Sequence, residues 1–251
     1  MAMKLLMLII CLLVAACSPV ETRRAASDGD GVEIPAYSPG EDIVRHLGYI
    51  ASYNHETLCP DWVAWELTRE EVAGENGCQY SFSRDPEVGF PKASREDYSH
   101  SGWDKGHMAP RADMRWSCQA LEESYYFTNI CPQDHEMNSQ AWRKIEELTR
   151  RVARRVGVVW VVCGPIYADS VDERIGQAGV RVPSAFFKAL AIPTENGGYA
   201  TVGFVVENRP QTRSPQHYAV EVDSVEALIG RDLFPLLPEE VEGAFDWNQW
   251  K

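Results

Sequence analysis

The stretch Asp104–Met114 reads Asp-Lys-Gly-His-Met-Ala-Pro-Arg-Ala-Asp-Met and contains the most informative histidine of the chain. His107 stands between Gly106 and a proline, a pattern that predicts a constrained turn displaying the imidazole ring. Asp104 and Lys105 place a carboxylate and a cation just before it. A neutral imidazole near pH 7 can take a proton from water, so we predict that His107 is a general base. A lone histidine is more often a packed or surface residue, and the prediction therefore depends on a second polar cluster.

The second polar cluster consists of Thr128–Gln133 (Thr-Asn-Ile-Cys-Pro-Gln) and, further on, Asn138. One amide oxygen leaves most of a coordination shell to water, which suits Mg²⁺, so we predict that Asn138 is a metal ligand. Asn is also a favoured N-cap, and Ser139 opens the longest helical pattern of the chain; the two roles can coexist. A histidine base beside a neutral ligand for a hard cation is what metal-assisted phosphodiester hydrolysis requires.

Three segments in this order resemble the DNA/RNA non-specific endonuclease family, which holds endonuclease G and the secreted bacterial non-specific nucleases. The segments are Asp104–Pro110, Asn129–Gln133 and Asn138–Glu146, and Gly164-Pro165 after a later strand also agrees. The match covers most of the span from about Tyr49 to Pro238. The resemblance implies hydrolysis of DNA and RNA with Mg²⁺ (or Mn²⁺), 5′-phosphate products and little sequence preference. A homodimer is compatible with the resemblance, and the sequence identifies no inhibitor partner.

The resemblance also implies roles for residues around the two central ones. Glu146 would accept hydrogen bonds from metal-bound waters, although it could equally be a helix-surface glutamate that pairs with Arg143 or Arg150. Asn129 would have a structural or substrate-contacting role. Asp104 would orient the turn that carries His107.

The chain departs from the family's pattern in two places. Lys105 stands where the family usually has arginine, which keeps the charge but loses the two-pronged hydrogen bonding to phosphate. The family also tends to carry an arginine in the segment here written Gln79–Pro86, and Arg84 is the only candidate. The absence of a clear second arginine favours a rival interpretation, a catalytically impaired lipoprotein of this fold that binds nucleic acid or protein without cutting.

The overall charge argues against passive binding of nucleic acid. The 251 residues carry a formal net charge of −13, whereas such binding depends on cations that displace counterions from phosphates. The segment Asn138–Gly157 is the exception, with six cations, Arg143 among them, and two anions. This segment predicts a positive groove, or else a solvated helix face. An apolar fraction of 45% and eight tryptophans predict a substantial single core.

The first residues predict export. Residues 5–16 form an apolar run that is too short for a membrane span, so residues 1–16 are interpreted as a signal peptide. The junction Val14–Ser18 (Val-Ala-Ala-Cys-Ser) resembles a bacterial lipoprotein cleavage box, which implies acylation of Cys17 and a membrane anchor on the periplasmic or cell-surface face. The alternative is an ordinary signal peptide. Residues 17–40 are predicted to be a flexible tether and residues 41–251 the nuclease domain.

Five cysteines remain after Cys11 and Cys17 are set aside: Cys59, Cys78, Cys118, Cys131 and Cys163. An exported chain can keep disulfides, but an odd number leaves at least one thiol free. The β-rich surroundings of Cys163 predict a buried thiol. Among the others we favour a Cys59–Cys78 disulfide.

Two cysteines and a histidine allow a third functional interpretation. Cys118, Cys131 and His135 could form part of a zinc site in a structural lipoprotein, although no close pair of ligands or fourth ligand is evident.

Periodicity and turn residues predict an α+β fold, a ββα-metal nuclease core on a mainly antiparallel central sheet flanked by helices. The expected strands are 46–54, 60–67, 80–82, 127–130, 160–164, 185–192, 200–206 and 217–222, and the expected helices are 119–126, 139–156 and 225–229.

Overall fold

A computed structural model describes residues 31–168 and 170–251, and its centre is a seven-stranded sheet in which all neighbouring strands are antiparallel. In spatial order the strands are β1 (Asp42–Arg45), β2 (Ile50–Asn54), β3 (Cys59–Thr68), β6 (Val158–Ile166), β9 (Ala185–Pro193), β10 (Tyr199–Glu207) and β11 (Ala219–Val220). Two small hairpins lie outside this sheet, β4 (Asp104–His107) with β5 (Ile130–Gln133), and β7 (Arg174–Ile175) with β8 (Val180–Arg181).

Five α-helices accompany the strands in the described part of the chain: α1 (Arg69–Ala73), α2 (Arg95–Tyr98), α3 (Cys118–Glu123), α4 (Arg143–Val156) and α5 (Val222–Ile229). A π-helical turn, Met137–Trp142, runs directly into α4. Short 3₁₀ turns are Phe127–Asn129, Pro215–Tyr218, Glu239–Val241 and Trp247–Trp250.

The central strands are buried on both faces because their residues alternate between two cores. In β3, Trp62 and Ala64 pack in the core that includes α5, whereas Val63, Trp65 and Leu67 pack in the core that includes α4. Alternate residues of a strand point to opposite faces of the sheet, so nearly continuous apolar sequence is required here. The result is three layers, with α4 and the β4–β5 hairpin on one face and α5 on the other.

The predicted fold class is confirmed, and several element boundaries need correction. The strands expected over 185–192 and 200–206 are present and form the β9–β10 hairpin, with Gly197 at φ +78° in its turn. The strand predicted over 127–130 is wrong, because Phe127–Asn129 form a 3₁₀ turn and β5 begins only at Ile130. The strand expected over 217–222 is only Ala219–Val220, because Pro215 opens a 3₁₀ turn just before it.

The leader, Cys17 and the first part of the tether lie outside the described residues. The second part of the predicted tether is folded, since Ile34 is fully buried and Ala36 exchanges hydrogen bonds with Arg231 and Asp232. The domain therefore begins before residue 41. Within residues 31–168 and 170–251, no helix combines the length and apolar character that crossing a bilayer requires.

The disulfide joins Cys78 to Cys118, so the predicted Cys59–Cys78 pair is wrong. Cys59 begins β3 in the interior, where its thiol faces the carbonyl of Arg181 at 3.7 Å and remains free. Cys131 and Cys163 are also buried and free, as expected for Cys163.

Candidate active site

The candidate site is built on one ββα unit, the β4–β5 hairpin and the helix that follows it. Asp104 pairs with Gln133 and His107 with Ile130 across the hairpin. Asp134 then starts the helix, because its side chain accepts a hydrogen bond from the backbone N–H of Met137 at 2.9 Å. Asp134, and not Asn138, is the cap.

Gly106 leaves room for the buried side chain of Gln133 on the opposite strand. A Cβ on this residue would lie 2.0 Å from Oε1 of the buried Gln133 side chain. No side chain larger than hydrogen fits there without moving Gln133. The glycine in the opening stretch thus lets β4 and β5 pack tightly under His107.

Asn129 holds the segment after His107 and uses its whole amide to do so. Its Oδ1 accepts from the backbone N–H of Ala109 at 2.8 Å, and its Nδ2 donates to the carbonyls of Ala109 and Ser124. The side chain is completely buried. Of the two roles that the sequence left open, the structure supports the structural one.

Asn138 and Asp104 are joined directly. The Nδ2 of Asn138 donates to Oδ2 of Asp104 at 3.0 Å, and His135 Nδ1 lies 3.0 Å from the same oxygen. Because a carboxylate only accepts, the amide must present its nitrogen to Asp104, which leaves Oδ1 of Asn138 as a ligand atom. A neutral oxygen completed by waters is a donor set that fits Mg²⁺.

His107 lies half-buried at the end of β4, between Phe82 and Tyr125, with ring centroids 5.3 and 5.2 Å away. Its Nε2 is buried and has no hydrogen-bond partner among the described residues. Burial, together with the charge of Arg111, lowers the pKa of the imidazole to about 4. The ring is therefore neutral at pH 7, as a general base must be.

The helix runs alongside β4 and contacts both of its ends. Asn138 meets Asp104 at the first residue, and the indole Nε1 of the buried Trp142 donates to the carbonyl of His107 at 3.4 Å. These two contacts place the imidazole and the carboxamide on the same small unit. Trp142 belongs to the core.

The two predicted cations occupy different surroundings. Lys105 holds its ammonium 5.5 Å from the Phe82 ring centroid and 5.9 Å from that of Tyr98, so it shares Phe82 with His107. Arg84 is exposed; hydrogen bonds to the backbone of Glu96 and to Ser94 lower the pKa of Glu96 on α2, and the charge of Arg84 adds a smaller effect. The cation that acts on His107 is Arg111.

Glu146 lies over a buried charged cluster and is not the surface ion-pair partner that the sequence left open. Arg150 pairs with the buried Asp113 at 2.8 Å, and Arg143 pairs with Glu147 at 3.0 Å. Burial raises the pKa of Glu146 to about 7, an effect that the nearby charge of Lys188 opposes.

The cations of α4 serve mainly intramolecular contacts. Arg143 and Arg150 form ion pairs, Lys144 donates to the carbonyl of Thr212 at 2.8 Å, and Arg155 donates to the backbone carbonyls of Gln249 and Lys251. The predicted positive groove is thus smaller than the sequence count implies.

The zinc interpretation is excluded. Cys118 is committed to the disulfide, and the buried Cys131 contacts Cys59. His135 points outward, with 80% of its side chain exposed, and hydrogen-bonds to Asp104.

Sequence reasoning missed three charged residues of the site: Arg111, Asp113 and Lys188. Arg111 and Asp113 lie within Asp104–Met114, and their closeness to His107 along the chain was a signal that could have identified them. Lys188 is a single cation within the apolar strand β9, 1% exposed, with its ammonium 4.5 Å from the Trp142 ring centroid and 5.1 Å from that of Trp65. A lone lysine in such a strand is itself a signal, because lysine is almost never fully buried without a partner.

A histidine-bearing hairpin followed by a helix, set against an antiparallel sheet, is the architecture of the ββα-metal nucleases. The fold agrees with a crystal structure of the EndoG/EndoGI complex, with a TM-score of 0.76 and 26% identity over 82% of this chain and 91% of that chain. The sequence model of the DNA/RNA non-specific endonucleases matches residues 31–240, and the chain belongs to this family.

Two relatives show the extent of the sequence similarity. Mitochondrial nuclease EXOG of Xenopus laevis is 32% identical over 80% of this chain, and mitochondrial endonuclease G of Bos taurus is 29% identical over 86% of it. The aligned part is 60% of the EXOG protein's length and 77% of the endonuclease G's.

Proposed function

We propose that this chain is a metal-dependent endonuclease that hydrolyses phosphodiester bonds of DNA and RNA with little sequence specificity. The observation that carries the proposal is the ββα unit, in which hydrogen bonds join the helix to both ends of β4. Asn138 bonds to Asp104 at one end, and Trp142 bonds to the backbone of His107 at the other. Adjacent residues of a strand are about 3.3 Å apart, so these ends are separated by roughly 10 Å. A hydrated cation and one phosphate group can bridge that span.

His107 performs the proton transfer in this proposal. Its imidazole is neutral and its Nε2 has no hydrogen-bond partner among the described residues, so this nitrogen is free to accept a proton from a water molecule that attacks phosphorus. Lys105, on the same strand, brings a positive charge close to the scissile phosphate. Attack by water opposite the 3′ oxygen gives 5′-phosphorylated fragments.

The cation that the donor set fits best is Mg²⁺, with Mn²⁺ as a substitute. Oδ1 of Asn138 would hold it, and it would supply charge stabilisation to the phosphoryl oxygens and the leaving group. Asp104 orients the carboxamide. Glu146 would orient metal-bound waters through hydrogen bonds.

The proposal is tested by incubating the full chain with supercoiled plasmid and with RNA, with Mg²⁺ or with EDTA. We expect cleavage of both only with the metal, and a loss of most activity in His107→Ala and in Asn138→Ala. His217→Ala, at an exposed histidine outside the site, should cleave like the parent. Cleavage by both site variants at the parental rate would contradict the assignment. Binding of nucleic acid by the parent without any cleavage would favour the impaired-lipoprotein interpretation.

We propose further that the protein is exported and anchored to a bacterial membrane through acylated Cys17. The support is the Val-Ala-Ala-Cys-Ser junction after a short apolar run. Cys17→Ala should move the protein from the membrane fraction to the soluble fraction. Unchanged membrane retention of that variant would refute acylation at this residue.

A further inference from the structure

A second group of carboxylates lies on the face of the sheet opposite the ββα unit. Asp223 and Glu226 are three residues apart on α5, and Glu242 follows the 3₁₀ turn Glu239–Val241. Each of these side chains offers one oxygen, and the three oxygens lie within 4.8 Å of one another. Neighbouring residues of α5, Val222 and Val225, pack in the second core.

Backbone hydrogen bonds fix this arrangement. The N–H of Asp223 donates to the carbonyl of Glu242 at 3.3 Å, which ties α5 to the C-terminal segment. The N–H of Leu233 donates to Oε1 of Glu226 at 2.6 Å, and the side chains of Glu226 and Glu242 lie within hydrogen-bond reach of each other. The three carboxylates therefore converge on one point without large rearrangement.

Glu242 is the residue that makes this group unusual. It is only 5% exposed, and its Oε2 is buried without a hydrogen-bond partner among the described residues. Burial raises the pKa of Glu242 to about 9, and a side-chain hydrogen bond with Glu226 and the charges of Glu226, Asp232 and Asp223 raise it as well. A buried carboxylate facing like charges is costly unless it takes up a proton or binds a cation.

We propose that Asp223, Glu226 and Glu242 form a binding site for a hard divalent cation of the calcium class, separate from the active site. Ca²⁺ binds carboxylate oxygens at 2.3–2.6 Å, so two ligand oxygens on opposite sides of the ion are about 5 Å apart. The three oxygens of this group satisfy that limit. Asp223 is exposed and leaves one side open for the waters that complete the shell. Mg²⁺ demands a tighter octahedron and fits less well.

The cation would fasten the C-terminal segment onto α5. That segment ends with the buried Trp250 in the core on the other face, and Arg155 of α4 binds its last carbonyls. A cation at Glu242 would therefore stabilise a segment that contacts α5 on one face of the sheet and the core next to α4 on the other. Sites of this kind in extracellular proteins bind Ca²⁺ with dissociation constants of about 10⁻⁴–10⁻³ M.

The test is thermal unfolding of the full chain, stripped with EDTA and then titrated with CaCl₂ to about 10 mM. At ten or more times the dissociation constant, we expect Tm to rise by about 5 °C. Glu242→Gln and the exposed Asp223→Asn should remove this shift. Glu240→Gln, at an exposed acid of the same turn, and Asn138→Ala should keep it, which separates this site from the active site.

Two results would overturn the proposal. One is a parental Tm that does not respond to Ca²⁺, with Glu242→Gln more stable than the parent; the carboxylates would then share a proton. The other is an equal Ca²⁺ shift in the parent and in both carboxamide variants. If Glu242→Gln does not fold, isothermal titration of the folded Asp223→Asn variant with Ca²⁺ replaces it. Loss of Ca²⁺ binding relative to the parent is then the expected result, and unchanged binding would overturn the proposal.

Discussion

Two titrating side chains of the site respond to burial in opposite directions. The pKa of His107 falls to about 4 and that of Glu146 rises to about 7, because burial disfavours the charged form of each group. Between pH 5 and 8 the imidazole therefore stays neutral while the carboxyl group changes its charge. The pH dependence of the reaction in that range should report Glu146.

Glu146→Gln tests this assignment. If the carboxylate orients metal-bound waters, its loss should lower kcat/KM by about 10–100-fold at pH 8. At pH 5 the parental Glu146 is already protonated, so the parent and the variant should have similar kcat/KM. Saturating Mg²⁺ should move the parental acid limb to lower pH, since a bound cation favours the carboxylate. A constant ratio of the two rates from pH 5 to 8 would show that Glu146 does not titrate in the reaction.

Asp104→Ala tests the support of Asn138. Without the acceptor for Nδ2, the carboxamide can rotate, and the Mg²⁺ concentration for half-maximal rate should rise by about 10–100-fold. High Mg²⁺ should restore most of kcat. Glu136→Ala, at an exposed acid on the same helix, serves as the control. An unchanged Mg²⁺ dependence of Asp104→Ala would contradict the role of Asp104.

The central residues of the site were predictable because local motifs contain them. The glycine-flanked His107 and the segment that begins at Asn138 are recognisable in sequence order, and the hairpin brings them onto one unit. Lys188 stands out in the sequence as a lone cation in an apolar strand, but its place in the site was not predictable, because only the antiparallel pairing of β9 with β6 brings it close to Glu146. The register between strands so far apart is set by tertiary packing.

At the scale of elements, the π-helical turn is the main departure from expectation. An ideal helix starting at Ser139 would place Asn138 at its cap and Glu146 about 80° around the axis. The helix instead begins beyond Asp134, and its turn Met137–Trp142 is widened. Such turns are frequent at functional sites, and here the turn carries Asn138. Residue propensities do not encode it, since the contacts of Asn138 and Trp142 with β4 select it.

The buried lysine of β9 provides a prediction at this scale. Lys188 favours the charged form of Glu146, so Lys188→Met should raise the pKa of Glu146 further. We expect the acid limb of the kcat/KM profile to move up by roughly one pH unit. Lys188→Arg, which keeps the positive charge, should leave the limb near its parental position. An identical kcat/KM profile for Lys188→Met and the parent would show that Lys188 does not influence the titration of Glu146.

At the scale of the whole molecule, the disulfide encloses the catalytic strand. Cys78 and Cys118 are 40 residues apart in sequence, and β4 lies between them. Closing a loop of that length should contribute about 4 kcal/mol by restricting the unfolded chain. Cys78→Ser and Cys118→Ser should each lower Tm by about 10 °C, and the double variant by no more than either single one. Additive losses would mean that the two cysteines act independently.

The layered architecture follows from apolar segments that are recognisable in the sequence. The apolar segments 60–67, 160–164 and 185–192 predicted strands of a central sheet, and they form parts of β3, β6 and β9. Asn196-Gly197-Gly198, a sequence typical of tight turns, joins β9 to β10. The disulfide did not follow, because five cysteines permit many pairings and only the folded chain brings Cys78 beside Cys118. The cations of α4 predicted a larger positive groove than the structure has, because many of them bind other parts of the protein.

The position of a bound Mn²⁺ ion tests the central claim most directly. Crystals of the full chain soaked in MnCl₂ would locate the ion by its anomalous scattering. We predict a peak about 2.1 Å from Oδ1 of Asn138, with metal-bound waters reaching toward Glu146 and the imidazole of His107. A protein that cleaves DNA with Mn²⁺ but shows no ion at Asn138, or binds its catalytic ion elsewhere, would contradict the account.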